Sequence, residues 1–238
     1  MQIPSRLLGR ATLAAAICAA GLVGAAEASF VAPERMHGMM MLAAPAAANS
    51  VATTRELAEL HQIETSRTPE QVARAMADDR DESIFLFRDV IGANFNAQTL
   101  PSTALLSTHV GHDEGANTDQ LKKGFGRVRP YNADKSLQPV CKTKKKDDSY
   151  PSGHATAGYL QALTLIELFP EKRDAILARA DGYAHNRLVC GVHYRSDIEA
   201  ARLVAYSVHA VMRENAQFKA EVSVAKAELR AAGMSPQR

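Results

Sequence analysis

Beyond residue 54, apolar positions recur with a helical spacing, and two-residue alternation is scarce. That pattern predicts an all-α fold. Thr68, Pro69 and Gln71 supply an N-cap, a first-turn proline and a capping-box partner, and the helix they open is expected to run to Val90 and Ile91 before Gly92. Residues 102–109 and 116–123 read as two shorter helices around a polar turn from Gly111 to Gly115. Residues 131–150, with Lys142 and the run Lys144, Lys145 and Lys146, read as a polar loop. The mostly apolar stretch 154–168 predicts a buried helix closed by Pro170. A further helix is expected over 171–183. The capping box from Ser196 to Glu199 opens another, running to about Met212, and Asn215 caps a last one ending before Gly233.

The N-terminus departs from this pattern. Arg6 and Arg10 precede a small-residue apolar run over 11–26, and Ala26, Glu27 and Ala28 form a cleavage signature. Residues 1–28 therefore read as an export signal; Ala46, Ala47 and Ala48 offer a second cleavage point. Residues 29–50, rich in Ala, Met and Pro, read as a flexible arm, and 51–238 as one domain. The chain has 238 residues, 46% of them hydrophobic, enough for a substantial core. Lys and Arg (28) nearly balance Asp and Glu (26), for a net charge of +2. No polyanion-binding surface is indicated, so any cationic chemistry must be local. Leader removal would take Cys18 and leave Cys141 and Cys190, which an oxidising compartment favours as a disulfide.

Three segments carry candidate chemistry: 122–130 (KKGFGRVRP), 151–154 (PSGH) and 186–197 (NRLVCGVHYRSD). His193 and Asp197 are four residues apart, so both can share a helical face. A carboxylate that accepts one imidazole N–H leaves the other nitrogen free to attack, which suits a histidine nucleophile. Ser152, Gly153 and His154 enter a helix whose free N–H groups suit phosphate, and His154 in its first turn is placed for a general acid. Lys122 and Arg129 lie two helical turns apart, with Lys123 and Arg127 as competing candidates. Pro130 pushes Arg129 towards an extended backbone. Arg187 adds a guanidinium able to grip two phosphate oxygens at once. Taken singly, a helix N-cap, a local ion pair or a solvated basic face would explain each piece.

The order K-x6-RP, PSGH, R-x5-H-x3-D resembles the type-2 phosphatidate phosphatase and vanadium haloperoxidase superfamily. Over about residues 65–235 it resembles, more narrowly, the class A bacterial non-specific acid phosphatases. Asp148-Ser149-Tyr150 before PSGH, Cys141, and the run from Val189 to Tyr194 with Ser196 and Asp197 belong to that resemblance. It implies a single compact helical domain, His193 as nucleophile, Asp197 as its orienter and His154 as leaving-group acid. It also implies Lys122, Arg129, Ser152, Gly153 and Arg187 as phosphate ligands, with no metal and no cofactor. The expected activity is a periplasmic acid phosphatase of broad phosphomonoester specificity. Small phosphorylated metabolites are the expected partners, with neither nucleic acid nor, once the leader is gone, membrane; homo-oligomerisation stays open. The alternatives are a vanadate-dependent haloperoxidase and a non-catalytic phosphate binder. One departure is Asn186, where the family usually has Ser; its amide is expected to donate a hydrogen bond instead. His112, Asp113 and Glu114 read as a solvated turn, and Tyr150 and Tyr194 as pocket wall or core.

Overall fold

The structure, a computed structural model, describes residues 29–36 and 42–234, and the expected leader lies outside them. Among the described residues every regular element is helical. The long helices are α1 (Val51–Ser66), α2 (Pro69–Asp78), α3 (Pro101–Phe125), α4 (Gly153–Leu168), α5 (Arg173–Val189), α6 (Arg195–Met212) and α7 (Ala216–Ala231). Helix α4 is buried on nearly every side, as its apolar composition requires, and packs against α3, α5 and α6. Its first turn, rather than its middle, faces the site described below.

Helix α2 opens with the expected reciprocal capping box between Thr68 and Gln71. It stops at Asp78 instead of continuing to Ile91. Asp81 Oδ1 accepts both the backbone N–H (2.9 Å) and the hydroxyl (2.7 Å) of Ser83, and Ser83 Oγ caps a short 3-10 turn over Ile84–Phe87. Such local side-chain bonds compete with helical ones and break the helix. The break turns Asp79 and Glu82 towards the site.

The two helices expected over 102–109 and 116–123 are one. Gly111 and Gly115 lie inside α3, where each costs about 1 kcal/mol relative to Ala. Tertiary contacts offset this: Leu106, Val110 and Leu121 are buried, and Glu228 of α7 accepts the free N–H groups of Ser102 (2.7 Å) and Thr103 (2.8 Å) at the start of α3. Asp113 is not in a solvated turn. It is fully buried and accepts the backbone N–H groups of Phe30 (2.9 Å) and Val31 (2.7 Å). Part of the stretch expected as an arm is thereby packed, with Phe30 and Val31 inside the core.

Helix α5 runs past residue 183 to Val189, which sets Arg187 in its last turn. Helix α6 starts at Arg195, and the acceptor of its first turn is Asp197, which takes the Tyr194 N–H at 2.9 Å; Ser196 is not the cap. Asn215 caps α7 as expected. Cys141 and Cys190 form the expected disulfide, tying the loop before α4 to the end of α5 across 49 residues. Closing a loop of this length restricts the unfolded chain by about 4 kcal/mol. The Cys141→Ser/Cys190→Ser variant is therefore expected to unfold at distinctly lower urea; an unchanged urea midpoint would contradict this role.

Candidate active site

Six of the eight sequence-predicted site residues line one cavity of about 310 Å³: Lys122, Arg129, Gly153, His154, Arg187 and His193. Asp197 and Ser152 lie behind its wall, both fully buried. A larger groove of about 520 Å³, between residues 42–46, α1 and α6, carries neither imidazole nor any of these cations. The smaller cavity is where the chemistry gathers.

His193 follows Gly191, whose φ of 73° turns the chain out of α5 and against Pro139. Its side chain is 2% exposed. Nδ1 lies 3.2 Å from Asp197 Oδ2, and Nε2 lies 3.2 Å from Nη1 of Arg129. A guanidinium only donates. Nε2 must therefore be the acceptor, and Nδ1 carries the proton that Asp197 receives. Burial first, then the positive charges of Arg129 and Arg187, push the imidazole well below its ordinary value of 6.5. Asp197 is held by three further donors: Arg127 Nη1 (2.6 Å), Ser149 Oγ (2.6 Å) and the Tyr194 N–H. Burial pushes its carboxyl up, and these donors oppose that shift.

Arg129 has the extended backbone expected before Pro130 (φ −70°, ψ 148°). It donates from Nε to Asp148 Oδ1 at 2.6 Å and from Nη1 to the Val192 carbonyl at 3.2 Å. Arg187 pairs with Asp79 at 2.8 Å, and its buried Nε has no hydrogen-bond partner. Lys122, in the last turn of α3, pairs with Glu114 at 3.3 Å. His154 Nε2 lies 3.0 Å from Glu82, and hydrogen bonding to His154 holds the Glu82 carboxyl below its ordinary value. Arg129, Arg187 and Lys122 thus each have a carboxylate of the protein's own beside them, which offsets the cost of partly burying charge, and Lys142 and Lys144 add two further cations to the wall. At Gly153 a Cβ would fall 2.6 Å from Lys122 Nζ and 2.5 Å from Glu114 Oε1, so a larger residue there would displace the ends of these two side chains. Ser152 Oγ is the N-cap of α4, accepting the Ala155 N–H, and its backbone N–H donates to the Asp197 carbonyl at 3.0 Å.

Several neighbours were not legible as site residues. Asp79 and Glu82 sat inside an expected helix, although the polar stretch 78–83, with Asp at 78, 79 and 81 and Ser at 83, is a turn signal. Arg127, a competitor for the phosphate, points away from the cavity. Asn186 donates to Asp78 Oδ2 at 2.7 Å and does not line the cavity. Tyr150 and Tyr194 are core rather than wall: Tyr150 Oη donates to the Ala43 carbonyl, and the Tyr194 ring stacks on Arg127.

Fold and cavity together define an all-helical domain whose pocket combines fixed cations with two imidazoles. The PAP2 superfamily pattern matches residues 101–220, half of the chain, and the chain belongs to that superfamily. It is 34% identical over 150 residues to a non-specific acid phosphatase of Providencia stuartii, covering 60% of this chain and 59% of that protein. An acid phosphatase of Zymomonas mobilis is 34% identical over 150 residues, 60% of this chain and 56% of that one. A non-specific acid phosphatase of Salmonella typhimurium is 30% identical over 161 residues, 64% of each chain. The chain thus spans less than two thirds of the length of these relatives. Its fold is similar to a bacterial vanadium-dependent iodoperoxidase (TM-score 0.58, 18% identity, 75% of this chain and 53% of that chain). It is also similar to a transmembrane PAP2-type phosphatidylglycerolphosphate phosphatase from Bacillus subtilis (TM-score 0.53, 16% identity, 76% and 94%). Among the described residues no helix is long and apolar enough to cross a membrane.

Proposed function

We propose that the protein is an exported acid phosphatase that hydrolyses phosphate monoesters of broad structure through a phosphohistidine, without a metal ion. The observation that carries this reading is the orientation of His193, with its proton towards Asp197 and its bare nitrogen towards the cations. The bare Nε2 attacks phosphorus while the bond to the leaving oxygen breaks. Arg129, Arg187, Lys122 and the N–H groups opening α4 neutralise the equatorial oxygens, on which the transition state concentrates charge. The unpartnered Nε of Arg187 is a donor such an anion would satisfy. His154 gives its proton to the leaving alkoxide, then takes one from the water that attacks the phosphohistidine. Inorganic phosphate leaves and His193 is restored. An alcohol in place of that water gives phosphoryl transfer, the expected side activity.

Export rests on the leader at 1–28 and is supported by the disulfide, a bond of oxidising compartments. Cleavage after Ala28 would keep the Phe30 and Val31 bonds to Asp113, whereas cleavage after Ala48 would remove them. N-terminal sequencing of the exported protein is expected to begin at Ser29.

The test is a pH–rate profile with p-nitrophenyl phosphate, with and without chelator. A base whose pKa is depressed stays unprotonated, and so nucleophilic, below the ordinary imidazole value of 6.5. The expected kcat/KM persists into that acid range and is indifferent to chelator. Activity lost as pH falls through 6.5, or lost with chelator, contradicts the reading. Bromide oxidation with vanadate and peroxide, in place of hydrolysis, would select the haloperoxidase alternative.

A further inference from the structure

Behind the His193–Asp197 pair, on the side away from the cavity, lies a chain of charges that runs from buried Asp197 to Glu56 at the edge of the larger groove. Glu56 of α1 accepts from Arg127 Nη2 at 2.7 Å and, through its other oxygen, from the Ser196 N–H at 2.7 Å. Arg127 Nη1 donates to Ser196 Oγ at 2.7 Å and to Asp197 Oδ1 at 2.6 Å, and its guanidinium lies 3.9 Å from the centre of the Tyr194 ring. Asp197 Oδ2 then meets His193. Arg127 is 7% exposed, and it neither lines the cavity nor touches His193 in any recorded hydrogen bond.

The geometry points to Arg127 as a positioning residue for the nucleophile: it keeps Asp197 ionised and aimed, so that His193 holds its proton on Nδ1 and its lone pair on Nε2. This rests on the phosphohistidine reading of the same site. The reasoning is a proton count. An ionised Asp197 can only accept, so Nδ1–H points at it and Nε2 is free. A protonated Asp197 would donate to Nδ1, the imidazole proton would sit on Nε2, and the nitrogen facing the cavity would have no lone pair. A carboxyl with no solvent exposure is pushed towards that neutral form, and a guanidinium 2.6 Å away is the strongest opposing influence.

The other groups facing Asp197 do not replace it. Ser149 and the Tyr194 N–H are neutral donors, Tyr150 and Tyr194 carry phenols that stay protonated, and Glu56 is itself an anion that Arg127 separates from Asp197. His193 cannot supply the charge without losing its role as nucleophile. Lys at 127 could reach one carboxylate at a time, since it lacks the planar fork that spans two.

The experiment compares wild type, Arg127→Gln and Arg127→Lys for kcat, for inhibition by inorganic phosphate, and for the acid limb of kcat. Arg127→Gln is expected to lower kcat by about a hundredfold while the phosphate inhibition constant stays within about threefold, because no phosphate ligand is removed. Its acid limb is expected to rise by about one pH unit. Arg127→Lys is expected to recover about tenfold in kcat and part of the shift. A folded Arg127→Gln protein with wild-type kcat and acid limb overturns the proposal. So does one that loses kcat and phosphate binding together with the limb unmoved, which is what general loosening would do. Should Arg127→Gln fail to fold, Arg127→Lys decides: a raised acid limb with phosphate inhibition retained supports the role, and an unmoved limb overturns it. Wild type that turns over without a trapped phosphohistidine refutes the functional reading instead, so the two failures are distinguishable.

Discussion

With His193 replaced by Ala, kcat for p-nitrophenyl phosphate is expected to fall by about 10⁴-fold or more, while inorganic phosphate continues to bind. The loss is large because no other group can take over. His154, the other imidazole on the cavity, turns its Nε2 to two carboxylates, Glu82 at 3.0 Å and Asp79 at 3.9 Å, so that nitrogen is not the bare, cation-facing acceptor that Nε2 of His193 is. Binding survives because Lys122, Arg129, Arg187 and the start of α4 are untouched. The fold survives too, since Asp197 keeps Arg127, Ser149 and the Tyr194 N–H as partners and is not left as a bare buried charge. Circular dichroism and phosphate protection against heat check these two conditions. Turnover within about tenfold of wild type would remove His193 from the mechanism.

His154→Ala is expected to separate substrates by leaving group. An alkoxide departing from a sugar or alkyl phosphate needs a proton as its bond breaks, whereas p-nitrophenolate does not. For alkyl phosphates kcat/KM should fall by about 10²- to 10⁴-fold, the range for a lost general acid, and for p-nitrophenyl phosphate by about tenfold or less. The ratio kcat/KM is the right quantity, since it covers steps up to the first irreversible one and omits hydrolysis of the phosphohistidine, where His154 acts on both substrates alike. The half-buried position of His154, with Glu82 partly open to water, makes a folding defect small. Equal losses on both substrates would contradict the role of leaving-group acid.

Much of this was legible in the sequence because it rests on local signals. The helical period fixed the fold class, and the caps at Thr68 and Asn215 are local hydrogen bonds that stand as expected. Cys141 and Cys190 were the pair left once the expected leader, with Cys18, is set aside. The placement of three distant segments on one cavity followed from motif chemistry, and the structure brings six of their residues to its wall.

What failed to show depends on partners far along the chain. Gly111 and Gly115 predict a turn by propensity, yet α3 runs through both because Asp113 is occupied by Phe30 and Val31, more than eighty residues earlier. The break after Asp78 is local, but it is overshadowed by apolar positions that continue to Ile91. Arg127 and Arg129 are indistinguishable by sequence as phosphate ligands. Glu56 and Asp197, each about seventy residues from Arg127, turn it to the back of the dyad, while Val192 and His193 hold Arg129 at the front. The counter-carboxylates Asp79, Glu82 and Glu114 carry no motif, because their task is set by which cations the fold brings near them.

The central claim is a covalent bond from His193 to phosphorus, and rapid mixing with phosphate-labelled substrate tests it most directly. Phosphohistidine survives alkali, so a quench into base within the first turnovers should leave label on the protein, mapped to the peptide carrying His193. Wild type that turns over with no label on that peptide, or with label on another residue, contradicts the account.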